Sequence, residues 1–115
     1  NILVGKERLT DRGHILENIV YLELIRRGNK VWTGTSRNTE VDFVCKTQTG
    51  EIEYYQVAWQ MTNESTVDRE FGGLQKIKDN YPKFLLTSES FTRDRAGIKH
   101  LNVFDWLLKT KKANE

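Results

Sequence analysis

Two arms of sequence around one short loop decide the fold: Glu40-Val41-Asp42-Phe43-Val44-Cys45-Lys46 and Glu51-Ile52-Glu53-Tyr54-Tyr55-Gln56-Val57-Ala58-Trp59. β-Branched and aromatic residues recur in both arms, and such side chains suit a pleated, half-buried surface. Gln48-Thr49-Gly50 fits a three-residue hairpin loop, with Gly50 in the left-handed conformation that glycine adopts without steric cost. Antiparallel strands are therefore predicted over 40–46 and 51–59. The loop length sets their register: with Thr47 opposite Glu51, Asp42 falls opposite Gln56, and alternation sends both side chains to one face.

Upstream, residues 30–35 (KVWTGT) read as another strand. Before it a helix is predicted over 10–27, with Thr10 or Asp11 as its cap and Gly28 as a left-handed stop. Its apolar residues Ile15, Leu16, Ile19, Val20, Leu22, Leu24 and Ile25 spread around most of the circumference. Such a helix is expected to be covered on more than one side. Downstream, Val67, Phe71, Leu74 and Ile77 recur at helical spacing within 65–80, behind a Ser65 or Thr66 cap, although Gly72-Gly73 weakens the middle. Asn80-Tyr81-Pro82 ends that helix. A buried strand over 83–88, a charged loop over 89–97, a fifth strand over 98–103 and a closing helix over 104–112 complete the chain. The order αβββαββα describes an α/β domain with a central mixed sheet flanked by helices.

Composition narrows the function classes. With 115 residues there is room for a single domain over 1–115. Eighteen Lys and Arg against 16 Asp and Glu leave a net charge of +2, far from the field of a dedicated nucleic-acid coat, so any basic footprint is local. No apolar run approaches the roughly 18 residues of a membrane span. The one thiol, Cys45, cannot form an internal disulfide, and no CxxC pair exists to hold zinc, which points to an intracellular, cytoplasmic protein. The chain starts at Asn1 without a signal-peptide pattern, and is expected to be a fragment of something longer.

Asp42 stands alone as a carboxylate within the apolar run Val41-Asp42-Phe43-Val44. Glu17 lies at the helical angle between Leu24 and Tyr21, on an otherwise apolar surface. The plain alternative for each is a solvated carboxylate. Together with Gln56, however, they make the kind of group that gathers a hard divalent cation against a phosphodiester. A further carboxylate and a lysine ordinarily complete such a site, whereas this chain has Gln56-Val57-Ala58 there. His14 and His100 lack ligand-spaced neighbours, and Cys45 alternates onto the face of Val41 and Phe43 as a core thiol. Trp32, Tyr54, Tyr55 and Trp59 have the chemistry to stack bases but as strand residues are expected to pack a core. Arg93, Arg95, Lys99, Lys109, Lys111 and Lys112 are interspersed with acids and read as solvated surface. No GxxxxGK[ST] occurs, so ATP binding lies outside this chain.

The element order, with Glu17-Asn18-Ile19-Val20-Tyr21, Glu40-Val41-Asp42-Phe43-Val44 and Tyr55-Gln56-Val57-Ala58, resembles the PD-(D/E)XK restriction-endonuclease-like superfamily. More closely, the chain looks like the C-terminal domain of unknown function of prokaryotic P-loop AAA+-type ATPases. That likeness also draws on Arg26-Arg27-Gly28, the segment 66–70, Lys76-Ile77-Lys78-Asp79-Asn80-Tyr81-Pro82-Lys83, Leu85-Leu86-Thr87, Gly97-Ile98 and Asp105-Trp106-Leu107-Leu108. The resemblance implies that Glu17 and Asp42 hold the catalytic metal positions, with Mg²⁺ as cofactor if the site is active. It places Gln56 where the second strand acid belongs and Ala58 where the lysine belongs, leaving Lys76 or Lys78 of the second helix as a migrated substitute. Two of the four positions match in full. The implied function is a catalytically degenerate recognition or regulatory domain of a P-loop ATPase, with ATP bound upstream and DNA or protein as partner. The alternatives are an active Mg²⁺-dependent DNA endonuclease and a structural homo-oligomerisation domain.

Overall fold

The computed structural model describes residues 6–113, with side chains over 11–109. Its elements run α1 (Lys6–Arg26), β1 (Lys30–Thr33), a 3-10 turn (Thr35–Arg37), β2 (Phe43–Lys46), β3 (Ile52–Ala58), α2 (Glu64–Gln75), β4 (Lys83–Thr87), β5 (Lys99–Asn102) and α3 (Val103–Ala113). The strands form one five-stranded mixed sheet in the spatial order β1-β2-β3-β4-β5. β2 pairs antiparallel with β1 on one side and with β3 on the other, and β3, β4 and β5 run parallel.

The β2–β3 hairpin follows its loop chemistry. Gly50 is left-handed at φ 91°, and the Thr47 N–H donates to the Glu51 carbonyl at 2.8 Å. Phe43 then faces Tyr55, the register expected from the loop length. The strand itself is shorter than 40–46, because pairing stops at Phe43 and leaves Asp42 just outside β2.

α1 ends as its sequence requires. Gly28 takes φ 92°, its N–H donates to the Ile25 carbonyl, and the Asn29 N–H donates to the Leu24 carbonyl, which together make a Schellman closure. The start differs: the helix runs back to Lys6, so Thr10 and Asp11 lie inside it and do not cap it. Lys6-Glu7-Arg8-Leu9 are all good helix formers, so nothing halts the helix at Thr10.

α2 is also displaced from its expected bounds. Asn63, not Ser65 or Thr66, is the cap, its side-chain oxygen accepting from the Thr66 N–H at 2.9 Å. The helix stops at Gln75 because Asp79 organises the descent into β4. Its carboxylate accepts from the Tyr81 N–H at 3.0 Å and from Lys83 Nζ at 2.8 Å, a local alternative to helical bonding. Lys76 and Lys78 therefore lie beyond the helical residues of α2. At the chain's end, Asn102 caps α3 by accepting from the N–H groups of Phe104 and Asp105.

Apolar residues cover both sheet faces. On one, Leu16, Val20 and Leu24 of α1 and Val103 and Trp106 of α3 meet Phe43, Cys45, Tyr55, Val57 and Leu86. On the other, Val67, Phe71 and Leu74 of α2 meet Val41, Val44, Leu85 and Ile98. Arg27 ties α1 to α3, with Nη2 donating to the Trp106 carbonyl at 2.9 Å and the guanidinium 3.9 Å from the indole centroid. Within the described residues α1 is covered on its sheet-facing side alone. Ile15, Ile19, Leu22 and Ile25 are exposed, because α3 packs at the β5 side of the sheet and leaves the outer surface of α1 bare.

Candidate functional site

The site begins with Gly34, in the turn between β1 and β2. Its N–H donates to the Asp42 carbonyl at 3.0 Å, and its own carbonyl accepts from the Thr39 N–H at 2.9 Å. A Cβ here would stand 1.6 Å from the Val41 carbonyl oxygen, so only glycine allows the turn to press against Val41 and Asp42. Beyond Phe43 the hairpin stops pairing as strands. The Val57 N–H, which would otherwise continue the ladder, is taken by Asp42 Oδ2 at 2.9 Å. The Asp42 N–H in turn donates to Gln56 Oε1 at 2.9 Å.

Strand N–H groups point sideways within the sheet, so a carboxylate accepting from one lies near the sheet plane. Asp42 therefore sits in the gap between β2 and β3, with α1 on one face and α2 on the other. Gln56 continues the network into the α2 layer, where Nε2 donates to Glu70 Oε1 at 2.8 Å. Glu17 approaches from α1. Burial raises the Asp42 pKa to about 7, an effect eased by the Val57 N–H and reinforced by the charges of Glu17 and Glu70. Burial also raises the Glu17 pKa, with His14 opposing and Glu70 adding to the rise. The fold thus brings Glu17, Asp42 and Gln56 into one electrostatic neighbourhood and adds Glu70 to it.

Glu70 escaped the sequence reading, though a signal was present: it lies in the stripe Val67, Phe71, Leu74, where an apolar residue is ordinarily found. Beside it opens a cavity of about 360 Å³ at the end of β3, lined by Gly13, Ala58, Trp59, Thr66, Arg69 and Glu70 among others. Ala58 puts no cation into that space. Two arginines stand beside it: Arg69 lies 3.6 Å from Glu70, and Arg12 lies over the Trp59 ring at 5.4 Å.

The proposed migrated lysines go elsewhere. Lys76 holds Glu40 at 3.0 Å, and Lys78 lines a different cavity beside Asp79 and Lys83. His100 is buried in packing, with Nε2 2.8 Å from the Thr87 hydroxyl and Nδ1 accepting from the Arg93 N–H. Cys45 is a buried thiol whose pKa burial pushes up to about 12. Arg95 holds Asp68 at 2.8 Å and Glu64 at 3.3 Å, binding the 89–97 loop to the start of α2. Lys99 and Lys109 are exposed, and the side chains of Lys111 and Lys112 lie outside the described residues.

Carboxylate oxygens are the right donors for Mg²⁺, and Glu17 and Asp42 are the residues that would offer them. Among the described residues no group of three or more His, Cys, Asp or Glu side chains is placed to hold a metal. The carbonyl oxygen of Gln56 is already occupied by the Asp42 N–H.

No protein-family model and no solved structure matches the chain. An uncharacterised protein of Haemophilus influenzae is 40% identical over 95 residues. The match covers 82% of this chain and 23% of that protein, so the chain spans about a quarter of the relative's length. Among the described residues no helix is long and apolar enough to cross a membrane.

Proposed function

We propose that this is a nuclease-like recognition or regulatory domain whose hydrolytic site has become an internal hydrogen-bonded latch, carried by a longer P-loop ATPase. The observation that carries the reading is the use made of Gln56. One end of its amide accepts from the Asp42 backbone and the other donates to Glu70. A carboxylate in its place would turn an anionic oxygen toward Glu70 and lose the donor. The amide is therefore suited to this closed network, and the catalytic acid that the PD-(D/E)XK resemblance implies is not. Ala58 leaves the lysine position empty, and neither Lys76 nor Lys78 lines the adjoining cavity. The much greater length of the Haemophilus relative supports the longer parent.

The test combines calorimetric titration with Mg²⁺ or Mn²⁺ and cleavage assays on supercoiled, linear and branched DNA. No saturable metal site and no cutting are expected. Metal-dependent cutting that disappears in Asp42→Ala would overturn the proposal in favour of an active endonuclease, with Glu70 supplying the carboxylate that Gln56 lacks. Salt-dependent DNA binding without cutting assigns nucleic acid as the partner.

A further inference from the structure

We infer that two copies of this chain associate through the outer face of α1, with the helices antiparallel about a two-fold axis near Asn18 and Ile19. At about 100° per residue, Leu16, Val20 and Leu24 define the buried side of the helix. Asp11, Ile15, Asn18, Leu22, Ile25 and Arg26 fall on the opposite side, with Ile19 toward its edge, and all are exposed. Ile15 and Leu22 expose 57% and 63% of their surfaces. Ile15, Leu22 and Ile25 cluster on this face with Ile19 at its edge, and grouped exposed apolar side chains of this kind mark an interaction site.

The band is self-complementary, which favours a second copy over an unrelated partner. Laid antiparallel on itself, it sets Ile15 against Leu22 and Asp11 against Arg26 of the other copy, and two-fold symmetry repeats each contact. Oppositely charged ends thus close both edges, and the Ile15–Leu22 pairs flank Asn18 at the two-fold axis. Arg26 bonds Glu23 through Nε and Nη2 at 2.9 and 2.7 Å but remains 57% exposed, and guanidinium has five donors. The seam is smaller than the roughly 800 Å² per partner of a standard interface, so association in the micromolar range is expected.

Sedimentation equilibrium on the whole chain, from low to several hundred micromolar, tests this. A reversible dimer is expected. Leu22→Asp and, separately, Ile15→Asp should give monomers with unchanged circular dichroism, since neither side chain packs in the core. Asp11→Lys and Arg26→Asp should each weaken association at least about tenfold, because each sets like charges opposite one another twice. The combined charge swap should restore it to within about threefold. A monomer at every concentration, as when another part of a longer polypeptide covers this face, overturns the proposal. So does a dimer indifferent to both aspartate substitutions, or a charge swap that fails to rescue.

Discussion

Asp42 carries the chemistry of the site in its proton. An unfolded aspartate titrates near 3.8, whereas in the fold Asp42 is held near 7. Between those values the folded chain keeps a proton that the unfolded chain has released. Stability therefore falls as pH rises from about 4 to about 7 and stays lowered above that, by at most about 4 kcal/mol. Asp42→Asn keeps an oxygen for the Val57 N–H and removes the titration. The variant should match the wild type near pH 3.5 and exceed it near pH 8 by about 2–4 kcal/mol in urea unfolding. A wild-type-to-variant difference that is the same at both pH values would show that Asp42 ionises normally.

At the level of elements, the turn from β1 into β2 decides where that carboxylate stands. Gly34→Ala drives a methyl group into the Val41 carbonyl, and relief requires the two segments to separate. The expected cost is about 1–3 kcal/mol, with faster hydrogen exchange at the Val57 amide as Asp42 withdraws from it. Gly72 is the matched control. It lies inside α2 with nothing within 4 Å of an added Cβ, so Gly72→Ala should stabilise by about 0.5–1 kcal/mol. Thermal melts of both variants test the pair, and an unperturbed Gly34→Ala would remove the turn from the account of the site.

For the molecule as a whole, the sheet is a partition between two apolar clusters that share its strands. Leu85 and Leu86 are neighbours in β4 and fully buried, yet Leu85 enters the α2 cluster and Leu86 the α1–α3 cluster. Truncating either to alanine should cost about 2–5 kcal/mol. Both variants should unfold in one transition, with tryptophan fluorescence and circular dichroism coincident, because neither helical layer has a core without the shared strands. Separate transitions in either variant would show that the two layers fold independently.

Local chemistry made much of this readable in advance. The hairpin register follows from Gln48-Thr49-Gly50, and the end of α1 from Gly28, because turn geometry depends on residues adjacent in the chain. Glu17 and Asp42 are legible as carboxylates in apolar settings, and Glu70 carries the same signal within the stripe Val67, Phe71, Leu74. The composition and alternation of the segments were enough to determine an α/β chain with a mixed sheet. Only the tertiary structure decided that β2 stops short of Asp42, since the contact responsible joins Gly34 to Val41 across a turn. It alone showed that Gln56 spends its amide on Asp42 and Glu70, and that the apolar outer face of α1 is left uncovered. Each of these depends on which surfaces meet in space, and side-chain spacing along one chain does not contain that information.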